Sequence, residues 1–179
     1  MTVFRPLLPA EAERYAAHLL RLSKTDRRAR FMGGVCDDVV RSHVGRIDWG
    51  RSLVLVALCG GQVRGAVELG VDDGRAELAI SIEDGWQNRG LGRMMVRRAM
   101  TMARNRGIRA IELHCLGDNH RMLRIAGRLS AQVRFDGGDV RCVFMLAPAD
   151  VFSLTAEAMD QGGSALTMML EPAALPRAA

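Results

Sequence analysis

At 179 residues the chain is long enough for one domain with a real core, and 49% apolar residues argue against disorder. The net charge of +5 is almost wholly arginine; aromatics at 4% and the lack of an arginine-rich tail argue against a nucleic-acid partner. No apolar run approaches a membrane span, the first residues lack a secretory pattern, and four scattered cysteines without a Cys-x-x-Cys pair read as reduced thiols of a cytoplasmic protein.

Residues 3–8 read as a short strand ended by Pro9, and residues 10–22 as a helix with Ala12, Tyr15, Ala16, Leu19 and Leu20 on its apolar stripe. Residues 22–31 are arginine-dense and have the character of a charged interhelix loop. A second helix is expected over 37–47, opened by Asp37 or Asp38. Strands follow at 52–59 and 62–69 around the Gly60-Gly61 turn, then at 76–82 after Asp72-Asp73-Gly74. A helix over 91–105 buries Leu91, Met95, Ala99, Met102 and Ala103 and stops at Gly107. Residues 110–116 form a strand, parallel to 76–82 if the crossover is right-handed. A helix over 119–129 and a hairpin of 131–135 with 140–146 close the pattern. Beyond Pro148 we expect a short helix over 150–159 and a frayed tail after Gly162-Gly163.

The most informative stretch is Gln87-Asn88-Arg89-Gly90-Leu91-Gly92, between the 76–82 strand and the 91–105 helix. Glycines there let backbone N–H groups converge on an anion at the positive end of the helix dipole. A dinucleotide fingerprint would need a third glycine where Met95 stands, and a nucleotide-hydrolase loop would need Gly-Lys-Ser/Thr. Seven arginines between Arg89 and Arg109 suit a ligand with several phosphates, although solvated helix surface explains any one of them.

The pattern Gln-x-x-Gly-x-Gly resembles the acyl-CoA pyrophosphate loop of the GNAT superfamily of N-acetyltransferases. The element order over residues 3–147 matches that α+β fold: a mostly antiparallel central sheet with one parallel, splayed strand pair, flanked by helices. The Leu-Ser, Arg and Arg-Phe of residues 22–31 resemble the GNAT domains of bacterial protein-lysine acetyltransferases. Residues 1–147 are then the acetyltransferase domain, and 148–179 a tail that packs on its own domain or across a homodimer.

The resemblance implies a site, residue by residue. Ile80, Ser81 and Ile82 would offer an unpaired strand edge to the pantetheine arm of acetyl-CoA. Asn88, Arg89, Gly90, Leu91, Gly92 and Arg93, preceded by Gln87, would hold the pyrophosphate. Asn119 would touch the CoA arm, and it serves equally well as a helix N-cap. The acceptor is a primary amine, a protein lysine or a small molecule, attacking the thioester directly in a ternary complex. Deprotonating an amine of pKa ~10.4 at pH 7 costs about 4–5 kcal/mol, so a base is wanted. Glu77 stands where the family's glutamate base often lies, and an ion-paired or solvated strand glutamate is its plain alternative. His114 is the second candidate, sharing strand parity with Glu112. The family's tyrosine acid, seven residues after the asparagine, is Ala126 here. That departure keeps a catalytically silent acyl-CoA-binding regulatory module as the alternative. A His114–Cys115 nucleophile fails because neighbours in a strand face opposite ways, and a zinc site from His114, Cys115, His120 and Cys142 lacks ligand spacing, so no metal is expected.

Overall fold

The computed structural model of the protein describes residues 2–72 and 74–170, without the side chains of 161 and 164–170. Strand β1 (Thr2–Pro6) is followed by helices α1 (Ala12–Leu20), α2 (Lys24–Phe31) and α3 (Asp37–Gly45). Then come β2 (Ser52–Cys59), β3 (Gln62–Asp72), β4 (Arg75–Ile82), α4 (Leu91–Asn105), β5 (Ala110–Leu116), α5 (His120–Arg128), β6 (Gln132–Asp136), β7 (Asp139–Met145) and α6 (Val151–Leu170). The seven strands form one sheet in the order β1-β2-β3-β4-β5-β7-β6, antiparallel throughout except for β4 and β5.

Strand alternation divides the core in two. Leu55, Val67, Leu69, Leu78, Ile111 and Leu113 face the apolar stripe of α4, where Met95, Val96 and Ala99 are fully buried. Val54, Val56, Leu58 and Ala66 face Tyr15, Leu19, Val40 and Val44 of α1 and α3. Helix α2 differs from both. Its sequence KTDRRARF has no apolar stripe and no buried residue, yet it forms where a charged loop was expected. Ser23 caps it by accepting from the Asp26 N–H at 3.1 Å, and Met32 ends it in the left-handed region at φ 56°. Three helices, not two, therefore separate β1 from β2.

The C-terminal helix also exceeds expectation. It runs past the expected end at residue 159 and through Gly162 and Gly163, after which a frayed tail was expected. Arg104 binds Asp150 (2.9 Å), Arg106 binds Glu157 (3.0 Å) and Arg98 binds Asp160 (2.9 Å), holding α6 against α4. The arginine concentration over 89–109 is thus partly a docking strip for α6 and not a phosphate site. Phe152 and Met159 point outward at 86% and 73% exposure, while Leu166, Met168 and Met169 have side chains outside the described set.

The feature that positions the site is a partial ladder. Strand β4 pairs with β3 along its whole length, and β5 pairs with β7 along its whole length. Between them only Arg75–Glu77 and Ala110–Glu112 are in register. Each strand is committed to its outer neighbour, so the two halves of the sheet part after Glu77. No helix among the described residues is long and apolar enough to cross a membrane.

Candidate active site

The glycine loop sits at the mouth of this parting. Gly90 adopts φ +79° as the N-cap of α4, and Asn88 is also left-handed at φ 58°. The first helical bond runs from Met94 N–H to Gly90 O at 3.1 Å, which leaves the amides of Leu91, Gly92 and Arg93 free for an anion. Gln87 anchors the loop to the strand end by donating to Ile82 O at 2.8 Å. Arg121 in turn bridges Gln87 and Asp26, the latter at 3.1 Å, and so ties α5 to the loop and to α2.

Gly92 has a different job from Gly90. A Cβ at Gly92 would lie 2.9 Å from Ile125 Cδ1 and 3.2 Å from Ile82 Cδ1, so its absence lets α4 approach α5 and β4. Gly92→Val is therefore expected to cost about 1–3 kcal/mol by overpacking, seen as a lower melting temperature without ligand. Arg93 is the cleaner probe. It lines the cleft, is exposed, and has no ion pair among the described residues. Arg93→Ala should weaken acetyl-CoA binding several-fold in a titration while shifting stability by no more than about 0.5 kcal/mol.

Behind the loop lies a cleft of about 500 Å³. Ile80, Ser81, Ile82, Gln87, Asn88, Gly90, Gly92, Arg93 and Asn119 line it; Arg89 and Leu91 do not. Leu91 is a core residue at 6% exposure, and the Arg89 guanidinium lies 5.7 Å over the Trp86 ring. Asn119 lines the cleft and caps α5 by accepting from the Met122 N–H at 3.1 Å. The backbone edge is open as well. Glu83 N–H bonds to Arg64 O at 3.0 Å, so alternate amides of β4 face β3 and those of Ile80 and Ile82 face the gap.

Sequence reasoning missed the opposite wall: Arg124, Ile125 and Arg128 of α5, and Asp26, Ala29 and Arg30 of α2. The signal was present for α5, since Arg121, Arg124 and Arg128 recur at i, i+3 and i+7 on one helical face. Helix α2 packs against both β4 and β5 and so spans the parting.

Glu77 and His114 lie elsewhere, lining a second cavity of about 520 Å³ at the apex of the parting. Glu77 is opposite Glu112 on the last rung of the β4–β5 ladder, with His114 on the same face. Glu112 is bound by Arg141 at 2.9 and 2.6 Å and by Arg75 at 3.3 Å, and the Arg141 contact holds its carboxyl below the usual range. His114 Nε2 is 4.0 Å from Glu112, and its side chain is exposed. Glu77 has no ion pair or side-chain hydrogen bond among the described residues, which leaves it the available carboxylate of the three acid–base groups. Ala126 is fully buried, so the position of the family's tyrosine faces the core.

Under the sheet, a charged cluster fixes α2. Oxygen Oε2 of Glu68 is 2.7 Å from Arg30, 2.8 Å from the Tyr15 hydroxyl and 2.9 Å from His43. Burial alone would raise the Glu68 pKa. The His43 hydrogen bond, the Arg30 charge and the Tyr15 hydroxyl outweigh burial and hold it at about 2.

A family model described as the acetyltransferase (GNAT) family matches residues 19–130. An acetyltransferase of Pseudomonas aeruginosa is 30% identical over 118 residues, covering 60% of this chain; the chain matches 62% of that relative's length. Among solved structures, the GNAT domain of S. lividans PAT superposes with a TM-score of 0.69 at 24% identity, over 80% of this chain and 89% of that one. The PaiA N-acetyltransferase of Thermoplasma acidophilum, solved with coenzyme A, gives 0.64 at 16% identity over 81% and 99%. These two likenesses are likenesses of fold. With a family model covering more than half of its residues, the chain belongs to the acetyltransferase (GNAT) family.

Proposed function

We propose that the chain is an N-acetyltransferase moving the acetyl group of acetyl-CoA to a primary amine, on a protein lysine or a small molecule, by direct attack in a ternary complex. The observation that carries this reading is the parted β4–β5 pair opening on to the unpaired amides of Leu91, Gly92 and Arg93. Pyrophosphate would take those amides, with Asn88 and Gly90 shaping the loop. The pantetheine arm would pair with the edge of Ile80 and Ile82, which lays the thioester along that edge on the side toward the apex. Glu77 stands at that apex and would take the amine proton directly or through water, with His114 as the second candidate. The thiolate leaves unassisted from α5, because Ala126 has no proton to give.

Acetyl-CoA at about 100 times its dissociation constant should stabilise the protein by about 2.7 kcal/mol, raising its melting temperature by roughly 5–10 °C. No shift at any concentration overturns the cofactor assignment. Labelled acetyl-CoA offered to a panel of amines and a protein lysate then tests transfer. The buried Ala126 favours one second reading, a catalytically silent acyl-CoA-binding regulatory module, and for it the panel stays unlabelled while the thermal shift remains. A homodimer would use the outer face of α6, where Phe152 and Met159 are exposed. Truncation after Pro148 that leaves the number of subunits per particle unchanged counts against it.

A further inference from the structure

Ser81, on the wall of the cleft, is backed by a buried histidine and a carboxylate. Ser81 Oγ lies 2.9 Å from His18 Nε2, and His18 Nδ1 lies 3.2 Å from Glu83 Oε1. The three are 6%, 0% and 9% exposed, and Ser81 lines the cleft where the thioester is expected. Glu83 is gripped on both oxygens, by Arg21 at 2.9 Å and Arg64 at 2.6 Å. Burial would raise its pKa, but the His18, Arg64 and Arg21 hydrogen bonds hold it at about 2, so it remains a carboxylate facing Nδ1. An ionised acceptor at Nδ1 fixes the tautomer that leaves Nε2 free to accept the Ser81 proton.

The geometry points to Ser81 as a nucleophile toward acyl-CoA thioesters, with His18 as its base and Glu83 as the group that orients the imidazole. This rests on reading the cleft as the acyl-CoA site. Oγ adds to the thioester carbonyl carbon while its proton passes to His18 Nε2. The amide of Ile82, the residue after the nucleophile, faces the open edge and is placed to donate to the oxyanion. The C–S bond then breaks, and the CoA thiolate leaves with the proton from His18. Water attacks the Ser81 ester, giving its proton to His18, and the serine departs as it recovers one. The net reaction is acyl-CoA plus water to carboxylic acid plus CoA, a hydrolysis that needs no amine. Helix α1, which supplies His18, and strand β4, which supplies Ser81 before Glu83 follows it, are joined through this chain of bonds; a merely structural tie between them is the competing account.

The test incubates the parent protein with acetyl-CoA and no acceptor, after binding has been established by the thermal shift. The expected results are an acetyl ester on the peptide containing Ser81, cleaved by hydroxylamine, and steady release of CoA. At saturating acetyl-CoA, so that affinity does not enter, Ser81→Ala should release CoA roughly 10²-fold more slowly or worse. Ser81→Cys should retain an acyl adduct, now as a thioester, which covers the case where the alanine variant folds poorly. Binding without an adduct, and with equal release from parent and Ser81→Ala, overturns this role and leaves the transferase reading standing. Failure to bind acetyl-CoA removes both.

Discussion

Glu77→Gln is expected to lower kcat for amine acetylation by roughly 10²–10⁴-fold, the span of a lost general base, with little change in acetyl-CoA affinity. The affinity should hold because Glu77 does not line the cleft that receives the cofactor. The parent's rate should fall on the acidic side as the base protonates. In the variant that limb should weaken, and high pH should partly restore the rate by deprotonating the amine in solution. His114→Gln is the discriminating control. The two side chains line the same cavity, yet His114 lies toward Glu112 at 4.0 Å and is further along β5 from the apex. If Glu77→Gln keeps full activity across pH while His114→Gln loses it, the base belongs to β5. If neither variant slows a good acceptor, solvent deprotonates the amine and the site works by positioning.

Much of this site was legible in advance because it rests on local backbone chemistry. A glycine that must adopt φ +79° before a strongly amphipathic helix is visible in sequence, and α4 begins and ends where its periodicity says it should. The parting of β4 from β5 was expected only through the family resemblance. Its cause is non-local, since each strand pairs fully with a different partner. Helix α2 was missed because periodicity finds helices that bury an apolar face, and α2 is fastened by ions instead: Arg27 to Asp37, Arg28 to Asp118, and Arg30 to Glu68. Arg28 and Asp118 are 90 positions apart, and no pattern in a window of helical length reports such a pair. The length of α6 was misread for the converse reason. Two adjacent glycines cost about 1 kcal/mol each in a helix, and the Arg98, Arg104 and Arg106 contacts that anchor its first turns leave no local mark. The cleft's α2 wall was hidden for the same reason as α2 itself.

Glu68→Gln should destabilise the protein by about 3 kcal/mol at neutral pH and lower its melting temperature by roughly 6–12 °C. The size follows from what is stranded. Arg30 is almost wholly enclosed, with 7% of its side chain exposed, and Glu68 is its ion-pair partner; a neutral amide leaves that charge buried without a counter-ion. The carboxylate's contribution is complete above its unfolded pKa near 4.5 and is lost as pH falls through the folded value of about 2. Acid should thus narrow the gap between parent and variant, and the two melting curves should converge as pH falls from about 5 toward 2. The parent's acid sensitivity will not vanish in the variant, because Glu83 is also held at about 2 by His18, Arg64 and Arg21, and Glu11 by Arg5. Arg30 lines the cleft from α2, so a loosened Arg30 should also weaken acetyl-CoA binding although Glu68 does not itself line the cleft. A variant melting within about 1 °C of the parent at pH 7 would mean that water reaches Arg30 and screens it. In that case α2 is held over the parted strands by Asp26–Arg121 and Arg28–Asp118, with Arg27–Asp37 tying it to α3.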